Sequence, residues 1–332
     1  MGDCACDVGV DQLDRSAPLS FFFLELTPAC NNACPGCGNV FAHDRARQPL
    51  SAIEWATVVG RLAPYQPRLR LTGGDPTMHP EFERIVSRVQ ALGFPSTIFS
   101  NARWQDPDRV LRFLSGVSGL EGILVSLHGA QAASHEAFTA TSGSFAETVA
   151  NIQRATDAGV TVVTITVITH QNYQEVEKIV ALSQELGADH AVFSRYVGRP
   201  LPGIEANEQE LRVAVQAVER VGGGNGKVRF GSPVPHCFAN NHSNGCMAGF
   251  VHVTIDPWGN VRPCPHVPMT AGNVLNGDGL DAILQSPVME RWRQGLLAQC
   301  GDCAEQSSCF AGCQAMALAR GLKRDPLIQY HA

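Results

Sequence analysis

The chain has little lysine. Of its 25 basic residues only Lys178, Lys227 and Lys323 are lysines, a bias that points to genome composition rather than to a task. Charged residues make up 17% of the 332 positions and aromatic ones 7%. No run of like charge occurs, and the net charge is −6. A surface of that kind argues against a nucleic-acid partner and against a polybasic membrane anchor. No apolar run approaches the length that spans a bilayer. The first residues, Met1-Gly2-Asp3-Cys4-Ala5-Cys6-Asp7, have neither a basic nor an apolar signal region, so they are not a secretory signal. The expected location is the cytoplasm. What the chain does have in quantity is cysteine, twelve in all. In a reducing compartment so many thiols read as metal ligands rather than disulfides.

With 44% hydrophobic residues the chain can bury one large core and a smaller second one. Strand-like segments are expected at Phe21–Thr27, Leu69–Thr72, Ser96–Asn101, Gly122–His128, Thr161–Ile168 and Ala191–Val197. Helical patterns lie between them, near Ala52–Leu62, Pro80–Leu92, Asp106–Leu114, Ser144–Ala158 and Tyr173–Leu186. Six β/α units with short connections specify an α/β fold, a parallel sheet curled into a partial (β/α)6 barrel. Arg199-Pro200-Leu201-Pro202-Gly203 breaks the pattern, a helix follows near Glu208–Val221, and a glycine-rich joint runs from Gly222 to Gly226. Beyond it the periodicity fades and cysteines return at positions 237, 246, 264, 300, 303, 309 and 313. A segment with seven cysteines and little regular patterning is expected to fold around metal. The expected organisation is an N-terminal extension (1–19), the partial barrel (20–200), a linker with a bridging helix (201–229) and a cysteine-rich, cluster-organised domain (230–332).

Cys30-Asn31-Asn32-Ala33-Cys34-Pro35-Gly36-Cys37 carries the most information. Three thiolates so spaced can hold three irons of a cubane and leave the fourth open to bind a small molecule, whereas a structural tetrathiolate site is closed. Taken alone, the triplet is also half of a zinc site. It follows the apolar run Phe21–Leu26, at the strand end where a β/α barrel puts its chemistry. After the second strand comes Thr72-Gly73-Gly74-Asp75-Pro76, whose glycines let backbone approach a ligand and which is equally a good turn. Later strands end in Ser100 and Asn101, in Ser126 and His128, before Asn172, and in Arg195. Each of these also suits a polar residue bonding its own backbone.

The cysteine loop resembles the Cys-x-x-x-Cys-x-x-Cys signature of the radical S-adenosylmethionine (radical SAM) superfamily and matches it in spacing. Gly73-Gly74-Asp75-Pro76 resembles the family's Gly-Gly-Glu-Pro element, with a carboxylate one methylene shorter. Cys246, Gly259, Cys264, Cys300, Cys303, Cys309 and Cys313 resemble the auxiliary-cluster motif of the SPASM subfamily, with six of its seven cysteines at fixed spacing. Together the two resemblances cover residues 20–315.

The resemblance implies that Cys30, Cys34 and Cys37 hold a [4Fe–4S] cluster that binds S-adenosylmethionine. An electron from a flavodoxin or ferredoxin would cleave that cofactor to methionine and a 5′-deoxyadenosyl radical, which abstracts hydrogen from a substrate C–H bond. Gly73, Gly74, Asp75, Pro76, Ser100, Asn101, Ser126 and Asn172 would contact the cofactor. His128, where relatives commonly carry aspartate, and Arg195 would act on the substrate. One auxiliary [4Fe–4S] cluster would take Cys237, Cys246, Cys264 and Cys313. A second would take Cys300, Cys303 and Cys309, whose usual fourth ligand lies downstream, where this chain has no cysteine. The remaining position is left to an open iron, to a non-cysteine ligand, or to Cys4 or Cys6 reaching across. Many relatives with this module modify ribosomally made peptides, so a peptide is the expected substrate, and an aminosugar or tetrapyrrole intermediate the alternative. With 29 residues ahead of Cys30, a leader-binding domain is not expected there, and leader recognition is expected to need a separate protein or the C-terminal module. A non-catalytic zinc or iron–sulfur scaffold would leave the glycine loop beside an open three-cysteine site unexplained.

Overall fold

The structure is a computed structural model that describes residues 18–223, 226–239, 245–277, 279–300, 303–309 and 312–329. Cys4 and Cys6 lie outside the described residues.

All six expected strands are present: β1 (Phe21–Glu25), β2 (Arg68–Thr72), β3 (Ser96–Ser100), β4 (Leu120–Ser126), β5 (Val162–Ile168) and β6 (His190–Arg195). They pair in chain order and all run parallel. The crossovers hold α1 (Ala52–Leu62), α2 (Phe82–Ala91), α3 (Pro107–Ser115), α4 (Ala132–Thr139), α5 (Ser144–Asp157) and α6 (Val176–Glu185). Their starts follow from local chemistry. Ser51 and Glu54 close a reciprocal capping box on α1, and Asp106 caps α3 just before Pro107. Short α4, which has no strong amphipathic pattern of its own, was not expected.

The sheet also extends further than six strands. β7 (Val228–Phe230) adds parallel to β6 after the long helix α7 (Glu208–Gly222), and β8 (His252–Ile255) adds parallel to β1. Antiparallel β9 (Asn260–Arg262) and β10 (Gly272–Asn273) complete the order β10-β9-β8-β1-β2-β3-β4-β5-β6-β7. Strands of two to four residues are too short to show a period, which is why the cysteine-rich segment read as irregular. Four helices follow, α8 (Gly279–Leu284), α9 (Pro287–Leu297), α10 (Gln306–Cys309) and α11 (Gln314–Ala319).

Alternation along the strands sorts the two faces. Phe22, Leu24, Leu69, Leu71, Ile98 and Ile123 pack with Trp55, Val58 and Leu62 of α1 and with α2 as the main core. Phe21, Phe23 and Glu25 take the opposite, concave face, where Phe23 meets Phe99 edge-on at 5.9 Å. A second core joins α6 and α7 to β6, β7 and Phe238. Because every strand from β1 to β6 runs the same way, all their carboxyl ends, and the residues singled out above, gather at one rim. Among the described residues no helix is long and apolar enough to cross a membrane.

Candidate functional site

The loop after β1 is held from several sides. Leu26 donates to the Thr72 carbonyl at 2.8 Å, Gly74 to Thr27 at 2.7 Å and Asp75 to Ala29 at 2.8 Å. The backbone of Gly73 and Gly74 therefore lies against the chain that leads into Cys30. A Cβ on Gly74 would stand 2.1 Å from the Ala29 carbonyl, and one on Gly73, at φ +142, 2.4 Å from that of Thr27. These glycines permit a close approach, and what approaches them is the backbone of the cysteine segment rather than a ligand.

Two arginines that sequence reading did not single out clamp the loop. Arg45 donates to the carbonyls of Cys30 and Asn32. Arg103 donates to the Asn31 carbonyl and the Asn32 side chain, both at 2.8 Å, and pairs with Glu147. Cys30 and Cys34 are half-buried and Cys37 is exposed. Burial pushes the Cys34 thiol up to about 12, with Cys37 and Cys30 adding to the effect, so the three sulfurs feel one another's charge. Cys30 Sγ accepts the Asn32 N–H at 3.4 Å and the Asn101 side-chain amide at 3.6 Å. Three clustered thiols with N–H donors aimed at the sulfur of Cys30 form a donor set suited to iron–sulfur ligation once metal displaces their protons.

Asp75 and Ser100 are joined. One carboxylate oxygen of Asp75 accepts from the Thr77 N–H and hydroxyl, and the other from Ser100 Oγ at 2.7 Å and the Asn101 N–H at 2.8 Å. The Asp75 carboxylate thus ties β2 to β3, and Pro76 opens the short 3₁₀ turn that follows. Trp104 donates to Ser100 Oγ, and the carbonyls of Asn101 and Ala102 accept from the Thr148 hydroxyl and the Asn151 amide on α5. Ala102, a non-glycine residue at φ 57, is held in the left-handed region by these bonds. Ser126 ends β4 half-buried on the concave face.

His128 is buried against the Phe138 ring, and its Nδ1 accepts the Val167 N–H at 3.2 Å. Its own N–H donates to His135 Nδ1 at 3.1 Å. Burial drives both imidazoles down, to about 3 for His128 and about 4 for His135, so each is neutral with its proton on Nε2. Asn172 spends its amide on the carbonyls of His128 and Val167 and on the Thr169 N–H. Arg195 follows Ala191 and Phe193 onto the helix-facing side of β6 and pairs with buried Asp325 at 2.9 Å. Among the described residues the Arg195 Nε and Nη1 atoms have no hydrogen-bond partner. The structure thus brings the cysteine loop, Asp75, Ser100 and Asn101 together at the rim, while Asn172 and Arg195 are engaged beside it.

The C-terminal thiols fall into two sets, grouped differently from the expectation. Cys246, Cys264 and Cys313 share one buried cluster. Cys237 lies with the others: burial pushes the Cys300 thiol up to about 11, helped by Cys309, Cys303 and Cys237. The cause is the anchoring of the turn that carries Cys237. Val234 and Phe238 are sunk into the α6–α7 core, and Arg212 of α7 lies 4.1 Å over the Phe238 ring. None of the ten described cysteines is in a disulfide.

The thiol sets are linked across the molecule. Fully buried Arg262 ion-pairs with Glu25 at the end of β1 and donates to the carbonyls of Pro265 and Val267, fixing the loop that carries Cys264. The ring of His266 on that loop packs on Gly38, where a Cβ would stand 2.6 Å away. Asp325 accepts the Cys313 N–H while holding Arg195. Sequence reading had no signal for Arg262 or Asp325, since only the fold brings them to Glu25 and Arg195.

The family model of the radical SAM superfamily matches residues 24–183, and that of an iron–sulfur cluster-binding domain, SPASM, matches residues 246–305. The mycofactocin maturase MftC of Mycobacterium ulcerans is 30% identical over 321 residues, covering 91% of this chain and 84% of that protein. The PqqA peptide cyclase of Rhizobium meliloti is 25% identical over 327 residues, covering 92% and 86%. Among solved structures, Streptococcus suis SuiB bound to its precursor peptide SuiA shares the fold with a TM-score of 0.78 at 17% identity, covering 95% of this chain and 76% of that one. Cofactors of such domains are S-adenosylmethionine and [4Fe–4S] clusters, and the thiol sets described above have the donor chemistry to match. The chain belongs to the radical SAM superfamily and is a radical SAM enzyme with a C-terminal SPASM domain.

Proposed function

We propose that this enzyme matures a ribosomally made peptide, using the Cys30–Cys34–Cys37 loop as the seat of the cofactor-cleaving cluster. The observation that carries the reading is the loop itself: three thiols at the carboxyl rim of a parallel sheet, with N–H donors from Asn32 and Asn101 on Cys30. One relative reported above is named a mycofactocin maturase and the other a PqqA peptide cyclase, and the second name supports a peptide substrate. When bound and reduced by one electron, cluster and S-adenosylmethionine supply methionine and a 5′-deoxyadenosyl radical.

The protein's part is placement. Arg45 and Arg103 hold the backbone carbonyls of the loop, and Gly73 and Gly74 let β2 press against it. Asn101 joins the loop to β3 through Asn31 and Cys30. Gly73, Gly74, Pro76, Ser100, Asn101 and Ser126 form the cofactor's bed at the rim, with Asp75 bracing it from beneath. His128, neutral and with Nε2–H available to donate, is assigned to the substrate side. The C-terminal thiols would hold auxiliary clusters, whose chemistry would be to take up an electron, and that suits an oxidative crosslink or decarboxylation. The electron donor is a flavodoxin or ferredoxin, and the setting is the cytoplasm. Residues 20–200 and 230–332 serve as the cofactor-cleaving and auxiliary-cluster units, joined through the shared sheet.

The test is mass spectrometry of any short peptide encoded next to this gene, incubated anaerobically with reconstituted enzyme, S-adenosylmethionine and a flavodoxin reducing system. A peptide mass change that needs all three, with 5′-deoxyadenosine formed alongside, is expected. An unaltered peptide with 5′-deoxyadenosine formed only when a small-molecule intermediate is supplied would overturn the peptide reading.

A further inference from the structure

The turn that carries Cys237 packs against the Cys300–Cys309 segment. Residue 236 donates its backbone N–H to Cys309 Sγ at 3.3 Å, so the chain carrying Cys237 runs directly against the Cys300–Cys309 segment. Cys237 Sγ in turn accepts the Gln329 N–H at 3.3 Å, and Ile328 packs on Cys300 beside Cys303. Two neighbouring residues of the C-terminal strand of chain thus touch Cys237 and Cys300 from one side. Cys246, Cys264 and Cys313 form a separate buried group with Ala248, Trp292 and Met316. The Cys237 turn is committed to its position by Val234 and Phe238, whose side chains are 0% and 2% exposed.

We propose that Cys237, Cys300, Cys303 and Cys309 form one closed four-thiolate cluster site, and that Cys246, Cys264 and Cys313 form a three-thiolate site. The inference rests on the reading that the C-terminal thiols bind [4Fe–4S] clusters, and it moves the incomplete ligand set from the second auxiliary site to the first. Asp325, the nearest acidic group to Cys313, cannot fill the gap as it stands. Its two oxygens are taken by Arg195 and by the N–H groups of Cys313 and Leu327. Among the described residues none is seen to take the fourth position, which is left for an oxygen, nitrogen or sulfur donor from elsewhere. The closed site lies near the surface, where Cys237 is exposed, and the three-thiolate site is buried. That arrangement fits an outer relay cluster and an inner one that can take a ligand.

Iron analysis of variants tests the pairing. Wild type should bind about twelve irons, three cubanes; retention of iron only at the Cys30 site would instead refute the cluster reading on which the inference stands. In a Cys300→Ala/Cys303→Ala background, adding Cys237→Ala should leave the remaining iron and its electron-paramagnetic-resonance signal unchanged. In a Cys246→Ala/Cys264→Ala background, the same change should reduce the iron by up to about four or convert its signal to that of a three-iron cluster. The opposite pattern would overturn the proposal. Single variants give a second measurement if the doubles do not fold. Cys237→Ala and Cys303→Ala should perturb the same reduced-cluster signal and spare the one that Cys264→Ala perturbs. Coincidence of the Cys237 and Cys264 effects would overturn the pairing.

Discussion

Asn101 is the single side chain on which most of the rim depends. Its amide N–H groups reach Cys30 Sγ and Asn31, and its oxygen accepts from the Arg103 N–H. Hydrogen bonds to cluster sulfur raise reduction potential and orient the ligand, and loss of such a partner costs about 10–100-fold in metal affinity or activity. Asn101→Ala should therefore lower the potential of the Cys30 cluster and slow 5′-deoxyadenosine formation by about that factor. A redox titration followed by electron paramagnetic resonance reads the first effect, and an unchanged potential would remove Asn101 from the site. The neighbouring histidines make a pH prediction. His128 and His135, at about 3 and about 4, are neutral when folded, whereas an unfolded chain protonates them below its ordinary value of 6.5. Between about pH 4 and 6.5 the unfolded state binds more protons, so stability falls as pH falls, by about 1.4 kcal/mol per unit for each such group. His135→Gln should flatten the slope of unfolding free energy against pH by about that amount. Parallel slopes in mutant and parent would show that His135 is not buried neutral.

At the scale of elements, the glycine loop shows where sequence reading succeeded and where it stopped. The motif placed a close backbone approach at Gly73 and Gly74, and the register of β1 with β2 determines what approaches. Since a Cβ on Gly74 meets a backbone carbonyl, Gly74→Ala must move the chain into Cys30. It should cost about 1–3 kcal/mol and lower iron retention at that site. Gly60, in the last turn of α1 with open space where its Cβ would be, is the control: Gly60→Ala should stabilise by about 0.5–1 kcal/mol. Calorimetry and iron assays on both would contradict the account if Gly74→Ala behaved like Gly60→Ala. The six core strands and five helices were legible because each spans at least five residues of clear period. The cap residues Ser51 and Asp106 marked two of the helix starts. The strands β7 to β10 were not legible, because the pairing partner rather than their own pattern makes them strands.

For the whole molecule the decisive contacts are the buried ion pairs that join distant segments. Glu25 on β1 and Arg262 on β9 are far apart in sequence, and nothing in either neighbourhood predicts the pair. Burial lifts the Glu25 carboxyl to about 7, partly countered by Arg262, so an unpaired charge there would be costly. Arg262→Met should destabilise by about 3–5 kcal/mol, and Glu25→Gln added to it should restore part of that loss. Additive losses in the double variant would show that the two residues do not act as a pair. The thiol positions were all legible from spacing, whereas their grouping was not, because Phe238 and the C-terminal segment decide where Cys237 lies. The most direct test of the central claim is the fate of S-adenosylmethionine on the anaerobically reconstituted, reduced enzyme. Wild type should yield 5′-deoxyadenosine and methionine in equal amounts, and Cys30→Ala/Cys34→Ala/Cys37→Ala should yield neither while keeping about eight irons on its C-terminal sites. Cofactor cleavage that persists in this triple variant would contradict the account.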